Sequence, residues 1–226
     1  MDICSKIWRK LLKLRLQPIR VFCLHHVCKT FDADSMYECD WISIDEFKNK
    51  VMAMQQDGVE FILLTDAYRH IRNDWFRHKK YAVLTFDDGY ASLKEILPWL
   101  EEMQIPVALF INGKYLDGKS YREKAQERYL SMGDLFSLTS SYIEIGSHGW
   151  VHTDGTKITS DEFKRSIEQN VALLQTHPNY IPCHAYTWGR HTKQTDSYLI
   201  SQSILPVYID GMQNYNDYSV IHRELL

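Results

Sequence analysis

Short β-rich runs that alternate with amphipathic helical patterns constrain the fold of this chain more than any other feature. Val21–Leu24, Phe61–Thr65, Ala82–Phe86, Val107–Ile111, Ile143–Ser147, Ile181–Tyr186 and Val207–Ile209 read as strands. Between them Phe47, Val51 and Met54, then Leu93, Leu97 and Leu100, then Phe163, Ile167, Val171 and Leu174 recur at the spacing of a helix face. Ser43 with Glu46, and Thr159 with Glu162, have the spacing of a capping box. Strand and helix in alternation imply a parallel sheet, and no glycine-rich phosphate loop opens a helix. The expected fold class is therefore α/β, a distorted seven-stranded (β/α) barrel. No repeat, low-complexity tract or linker interrupts it. The Lys-, Gly- and Glu-containing stretch Asn112–Arg128 is expected to be an exposed insertion.

Composition narrows the partners. With 226 residues, 45% of them hydrophobic, the chain buries one sizeable core. A net charge of −3 and no long basic block exclude the electrostatic footprint that duplex DNA requires, so no nucleic acid is expected. No apolar run approaches the roughly 20 residues of a membrane-spanning helix, and no secretion signal is recognised. Cys4, Cys23, Cys28, Cys39 and Cys183 are odd in number and form no CxxC pair, which argues against a disulfide framework and a cysteine zinc site. The expected localisation is the cytoplasm or the cytoplasmic membrane face. Residues 1–19 read as a basic amphipathic helix, with Ile3, Ile7, Leu11 and Leu14 on one side and Lys6, Arg9, Lys10 and Lys13 largely between them. That helix suits contact with an anionic membrane surface, or cover for a barrel end or a second subunit. Residues 20–226 then form the main domain.

In a parallel barrel the carboxyl ends of the strands collect functional groups. Two ends here are rich. Asp87-Asp88-Gly89-Tyr90 follows one strand; adjacent carboxylates face mutual repulsion or a positive ion, although one of them also reads as the N-cap of a helix near Ala91. Another strand runs into His148-Gly149-Trp150-Val151-His152, whose two imidazoles can meet one ion. Together they supply two His and one carboxylate to a metal with positions left open, and leave a carboxylate over.

These residues carry a resemblance. Thr85-Phe86-Asp87-Asp88-Gly89-Tyr90 and His148-Gly-Trp-Val-His152 are similar to the first two motifs of the polysaccharide deacetylases, carbohydrate esterase family 4. The order of the remaining pieces resembles the branch acting on the exopolysaccharide poly-N-acetylglucosamine, in which an early Tyr-His-x-Val precedes the Asp motif; here Leu24-His25-His26-Val27 stands there. Similarity continues through Trp41–Phe47, Ile105–Phe110, Ile143–Ser147 and Ala185-Tyr186-Thr187-Trp188-Gly189-Arg190. Three positions depart from the family pattern. Gly149 replaces a usual Ser or Thr, Thr187 replaces a usual Pro, and Ala185 replaces an arginine that in many relatives orients the catalytic Asp.

The resemblance implies a metal-dependent hydrolase that removes N-acetyl groups from an N-acetylated glycan or sugar precursor. It assigns Asp88, His148 and His152 to a divalent metal, zinc by preference, Asp87 to the general base, the backbone N–H of Trp188 to the oxyanion hole, and His25 to the general acid. His26 is expected on the opposite face of the sheet, as a structural residue. His184 and His222 match no motif, and Trp188, Trp150 and Tyr90 suit either sugar stacking or packing. Two competing readings are a non-catalytic carbohydrate-binding scaffold and a magnesium enzyme handling phosphate, the latter disfavoured by two histidine ligands.

Overall fold

A computed structural model describes residues 16–33, 36, 40–74, 77–117, 128–215 and 219–226. Its frame is a curled parallel sheet of β1 (Ile19–Leu24), β5 (Lys80–Phe86), β6 (Val107–Ile111), β7 (Ile143–Ser147), β8 (Tyr180–Ala185) and β9 (Leu205–Val207), with β10 (Glu224–Leu225) beside β1. The α/β barrel class is thus the one expected. Membership differs in one place. The seventh strand on the path is β10, while β4 (Val59–Phe61) lies off it, paired with the first residues of β5. A small parallel pair, β2 (His26–Cys28) and β3 (Trp41–Ser43), sits apart.

Alternation along the strands sorts side chains into two layers. Val21, Val83, Ala108, Phe110, Cys183, Ala185, Val207 and Ile221 fill the interior, and Leu64, Ala67 and Ile71 of α2 (Leu64–Asn73) join the same cluster. Phe22, Leu84, Phe86, Leu109 and Ile145 face outward, against Phe47 and Val51 of α1 (Ile44–Gln56), Leu97 and Leu100 of α3 (Leu97–Glu102) and Leu174 of α5 (Ser160–Leu174). Full burial of each Val, Leu, Ile or Phe among them contributes about 1.5–3 kcal/mol, so these two layers hold the sheet in its curl. The remaining helices are α4 (Met132–Ser137) and α6 (Lys193–Ser201).

The expected strand Phe61–Thr65 is corrected: the strand stops at Phe61 and a helix starts at Leu64. The Glu144 carboxylate on β7 accepts from the backbone N–H of Leu64 (2.8 Å) and from that of Thr65 (3.3 Å), and also from the Thr65 hydroxyl. A distant carboxylate therefore does the capping that local sequence does not. The expected insertion Asn112–Arg128 is also corrected at its start, since Asn112, Gly113, Tyr115 and Leu116 are buried; residues 118–127 lie outside the described ones. At α5 the Thr159–Glu162 box is complete in both directions, and at α1 the Ser43 hydroxyl accepts from the Glu46 N–H.

Most of the N-terminal helix expected over residues 1–19 lies outside the described residues, as do Cys4 and Cys39. Leu16 bridges Arg77 and Ile19 already opens β1. Cys23, Cys28 and Cys183 are buried free thiols. Among the described residues no helix is long and apolar enough to cross a membrane.

Candidate active site

At the end of β5 two adjacent carboxylates part company. Asp88 takes a left-handed backbone (φ 70°) and Gly89 follows at φ 80°. The sharp reversal is closed by Gly89 N–H donating to Asp87 O at 2.9 Å, and a side chain on Gly89 would sit 2.9 Å from Ile111 Cδ1. It leaves Asp87 in the barrel interior and turns Asp88 towards the end of β7. Neither carboxylate is a helix cap: the 3-10 helix Ala91–Glu95 has no side-chain cap.

Asp88 meets the two histidines. Its Oδ1 lies 3.3 Å from His148 Nε2 and 3.3 Å from His152 Nε2. His148 Nδ1–H donates to Ala185 O at 2.8 Å, which fixes the tautomer and leaves Nε2 as a lone-pair donor pointing at Asp88. The three ligand atoms all lie within 4.8 Å of one another. Two imidazole nitrogens and one carboxylate oxygen, nearly sequestered from solvent and with one imidazole already oriented by a carbonyl, fit a divalent transition ion such as zinc.

The loop that carries the histidines is held from beneath. Asn112 Nδ2 donates to His148 O (2.7 Å) and Gly149 O (3.0 Å), and Asn170 Nδ2 on α5 donates to Ile111 O (2.8 Å) and Ser147 Oγ (2.9 Å). Ser166 Oγ accepts from Trp150 N–H at 2.9 Å. Gly149 stands at φ 84°, and a side chain there would meet Ser166 Oγ at 3.3 Å, so this departure from the family pattern belongs to the local backbone.

Asp87 occupies a different environment. Arg223 donates Nη1–H to Oδ1 (2.6 Å) and Nη2–H to Oδ2 (2.9 Å), and Nη1 also reaches Thr85 Oγ1 (3.0 Å). Burial alone would raise the Asp87 carboxyl, but the Arg223 guanidinium, with His148 and His25 adding to it, holds it down at about 2. Arg223, itself fully buried, thus stands on the carboxylate that the missing arginine at Ala185 would otherwise serve. No sequence motif pointed to it. Cys23 Sγ–H points at Asp87 Oδ2 from 3.5 Å.

His25 is brought to the same place, with a ligand atom within 4.8 Å of Asp87 and Cys23, and with Asp40 Oδ1 4.0 Å from its Nδ1. Trp188, in left-handed backbone (φ 58°) on a 3-10 turn, sets its ring edge-on to His152 with centroids 4.9 Å apart. The hydroxyl of Thr187 donates to Thr153 O, tying this turn to the second-motif loop where the family usually has proline. Other residues fall away from the centre. His26, expected on the opposite face of the main sheet, instead lies on the separate strand β2, where its ring stacks on Tyr90 at 3.8 Å and its Nδ1 is 3.0 Å from Ser92 Oγ. His184 bonds Ser147 Oγ and His222 bonds Asp210. Tyr90 is buried against Tyr129, and Trp150 packs beside Gly113, whereas Trp188 is 64% exposed.

The sequence model of polysaccharide deacetylases matches residues 76–203. The chain belongs to the polysaccharide deacetylase family. No curated protein sequence matches this deacetylase-family chain. Among solved structures it is similar to IcaB from Ammonifex degensii, at 21% identity over 94% of this chain and 93% of that one, with a TM-score of 0.77. The Streptococcus pyogenes deacetylase PplD, solved with acetate, superposes with a TM-score of 0.79 at 17% identity, covering 93% of each chain. The BpsB deacetylase domain from Bordetella bronchiseptica gives 0.67 at 15% identity, over 92% of this chain and 95% of that one. At these identities the likeness is one of fold.

Proposed function

We propose that this chain is a metal-dependent N-deacetylase acting on an N-acetylated glycan of the exopolysaccharide type. The observation that carries the reading is the division of labour between neighbours: Asp88 joins His148 and His152, while Asp87 is held ionised beside His25. Asp88, His148 and His152 would hold the ion, zinc by donor preference, which when bound acidifies a water and polarises an acyl carbonyl. Asp87 accepts the proton of the attacking water, and Arg223 keeps its oxygens oriented and charged. The departing amine of an amide needs a proton, and His25, beside Asp87 and partly exposed, donates it. The Trp188 backbone N–H, carried over from the family resemblance of the Ala185–Arg190 segment, assists the developing oxyanion.

Mass spectrometry of N-acetylated glycans and sugar precursors incubated with the protein tests this reading. Loss of acetyl groups that disappears on chelation and returns with zinc is expected. Asp87→Asn should keep its metal yet lose turnover by roughly 10²–10⁴-fold, because an amide accepts no proton from water at neutral pH. His148→Ala should bind less metal. Glycan binding with no acetyl loss at any metal concentration would identify a carbohydrate-binding barrel instead.

A further inference from the structure

A second set of ligand atoms lines the same barrel mouth. The Cys23 thiol, the His25 imidazole and the Asp87 carboxylate each offer an atom within 4.8 Å of the other two. Cys23 lies on β1 and His25 just past its last residue, and Asp87 follows directly on the end of the neighbouring β5, so the paired strand ends bring the three together. Cys23 Sγ already reaches Asp87 Oδ2. A cavity of about 160 Å³ lined in part by Cys23, His25, Asp40 and Trp41 adjoins the set, and 21% of the His25 side chain is exposed, which gives an ion a way in.

We propose that Cys23, His25 and Asp87 form a second, inhibitory site for a thiophilic divalent cation, zinc or cadmium. It fills after the Asp88–His148–His152 set. Sulfur, nitrogen and oxygen donors together suit zinc. On binding, the thiol S–H bond breaks, its proton goes to solvent and the sulfur lone pair bonds the metal, with no change of oxidation state. Charge explains why the thiol is required. Asp87 and Arg223 cancel before binding; a dication and one lost proton leave a surplus of a single positive charge, whereas a hydroxyl in place of the thiol would leave two beside the buried guanidinium. That guanidinium also makes this site the weaker of the two. Asp87 Oδ2 keeps a lone pair for the ion while accepting from Arg223 Nη2. Occupancy inhibits because it takes the proton acceptor and the proton donor together. This consequence rests on the deacetylase reading; the site itself does not.

Metal-free protein titrated with Cd²⁺ should develop Cd–thiolate charge-transfer absorption only beyond the first equivalent, and Cys23→Ser should lose that band while retaining the first equivalent. In parallel, zinc should first restore glycan deacetylation and then, in excess, suppress it by roughly 10²-fold or more, the size of a lost acid–base contribution. Cys23→Ser should resist the suppression, and Cys23→Ala serves where the serine variant does not fold. A thiolate band that persists in the variants, or zinc suppression at unchanged concentration, overturns the site. Absence of deacetylation at every zinc level overturns the functional reading alone, since the cadmium band still decides the site.

Discussion

Asp87 and Arg223 form a pair with almost no access to water, and such pairs behave asymmetrically under mutation. Removing one partner leaves an uncompensated buried charge, so Arg223→Met should destabilise the fold by about 3–5 kcal/mol. Removing both charges should cost much less. Urea unfolding of Arg223→Met, Asp87→Asn and the double variant measures the coupling, and additive losses would mean that the 2.6 Å and 2.9 Å bonds carry no net interaction. His25 is separable from this pair by its chemistry. As proton donor to a departing amine, His25→Ala should slow an N-acetyl substrate by roughly 10²–10⁴-fold. An acetyl ester with an acidic phenol leaves without prior protonation and should be slowed far less. Equal losses on both substrates would reduce His25 to a packing residue.

Elements differ in how much of them the sequence reveals, and the reason is the range of the interactions that set them. The ends of β5 and β7 were legible because Asp87-Asp88-Gly89 and His148-x-x-x-His152 are local patterns. The start of α2 was not, because Ile62-Leu63-Leu64 is apolar without period and its capping carboxylate, Glu144, lies 80 residues away. Asn112 and Asn170 escaped notice for the same reason: an asparagine reads as loop or surface until the topology folds it under the His loop. His177 is another such residue, and it makes a testable pH dependence. Asn179 N–H donates to its Nδ1 (3.1 Å), so its Nε2–H donates to Leu135 O (3.1 Å) and ties the end of α5 to α4 in the neutral form. Burial lowers its pKa below 6.5, the carbonyl contact offsetting only part of that. Burial, reinforced by His148, likewise holds His184 at about 3. Folded-state values below the unfolded one mean that stability is complete above about pH 6.5. It falls as pH drops below that, by up to about 1.4 kcal/mol per pH unit for each group, because the unfolded chain binds protons that the folded one refuses. His177→Gln should flatten part of the decline in unfolding free energy between pH 7 and pH 5, and an unchanged slope would remove His177 from the account.

At the scale of the whole molecule, the last few residues do work that no strand pattern announced. Ile221 bridges Val207 of β9, with Tyr208 N–H donating to Ile221 O at 2.8 Å, and three residues later Glu224 and Leu225 pair with Phe22 and Cys23 of β1. One segment thus joins the two edges of the curled sheet and, between its two sets of bonds, delivers Arg223 to Asp87. Closure and electrostatics are coupled here by chain position alone. Two variants separate them. Arg223→Met keeps the backbone bonds and should still unfold in one cooperative transition, at lower denaturant. Deleting residues 221–226 removes the same guanidinium and also exposes the N–H and C=O rows of β1 and β9. Open edges of this kind recruit other strands, so the truncated chain should lose cooperativity and form larger species by light scattering under conditions where Arg223→Met keeps the oligomeric state of the full chain. If the truncated protein instead matches Arg223→Met in midpoint, slope and size, the segment contributes one ion pair and nothing to closure, and the sheet holds its curl through the two apolar layers alone.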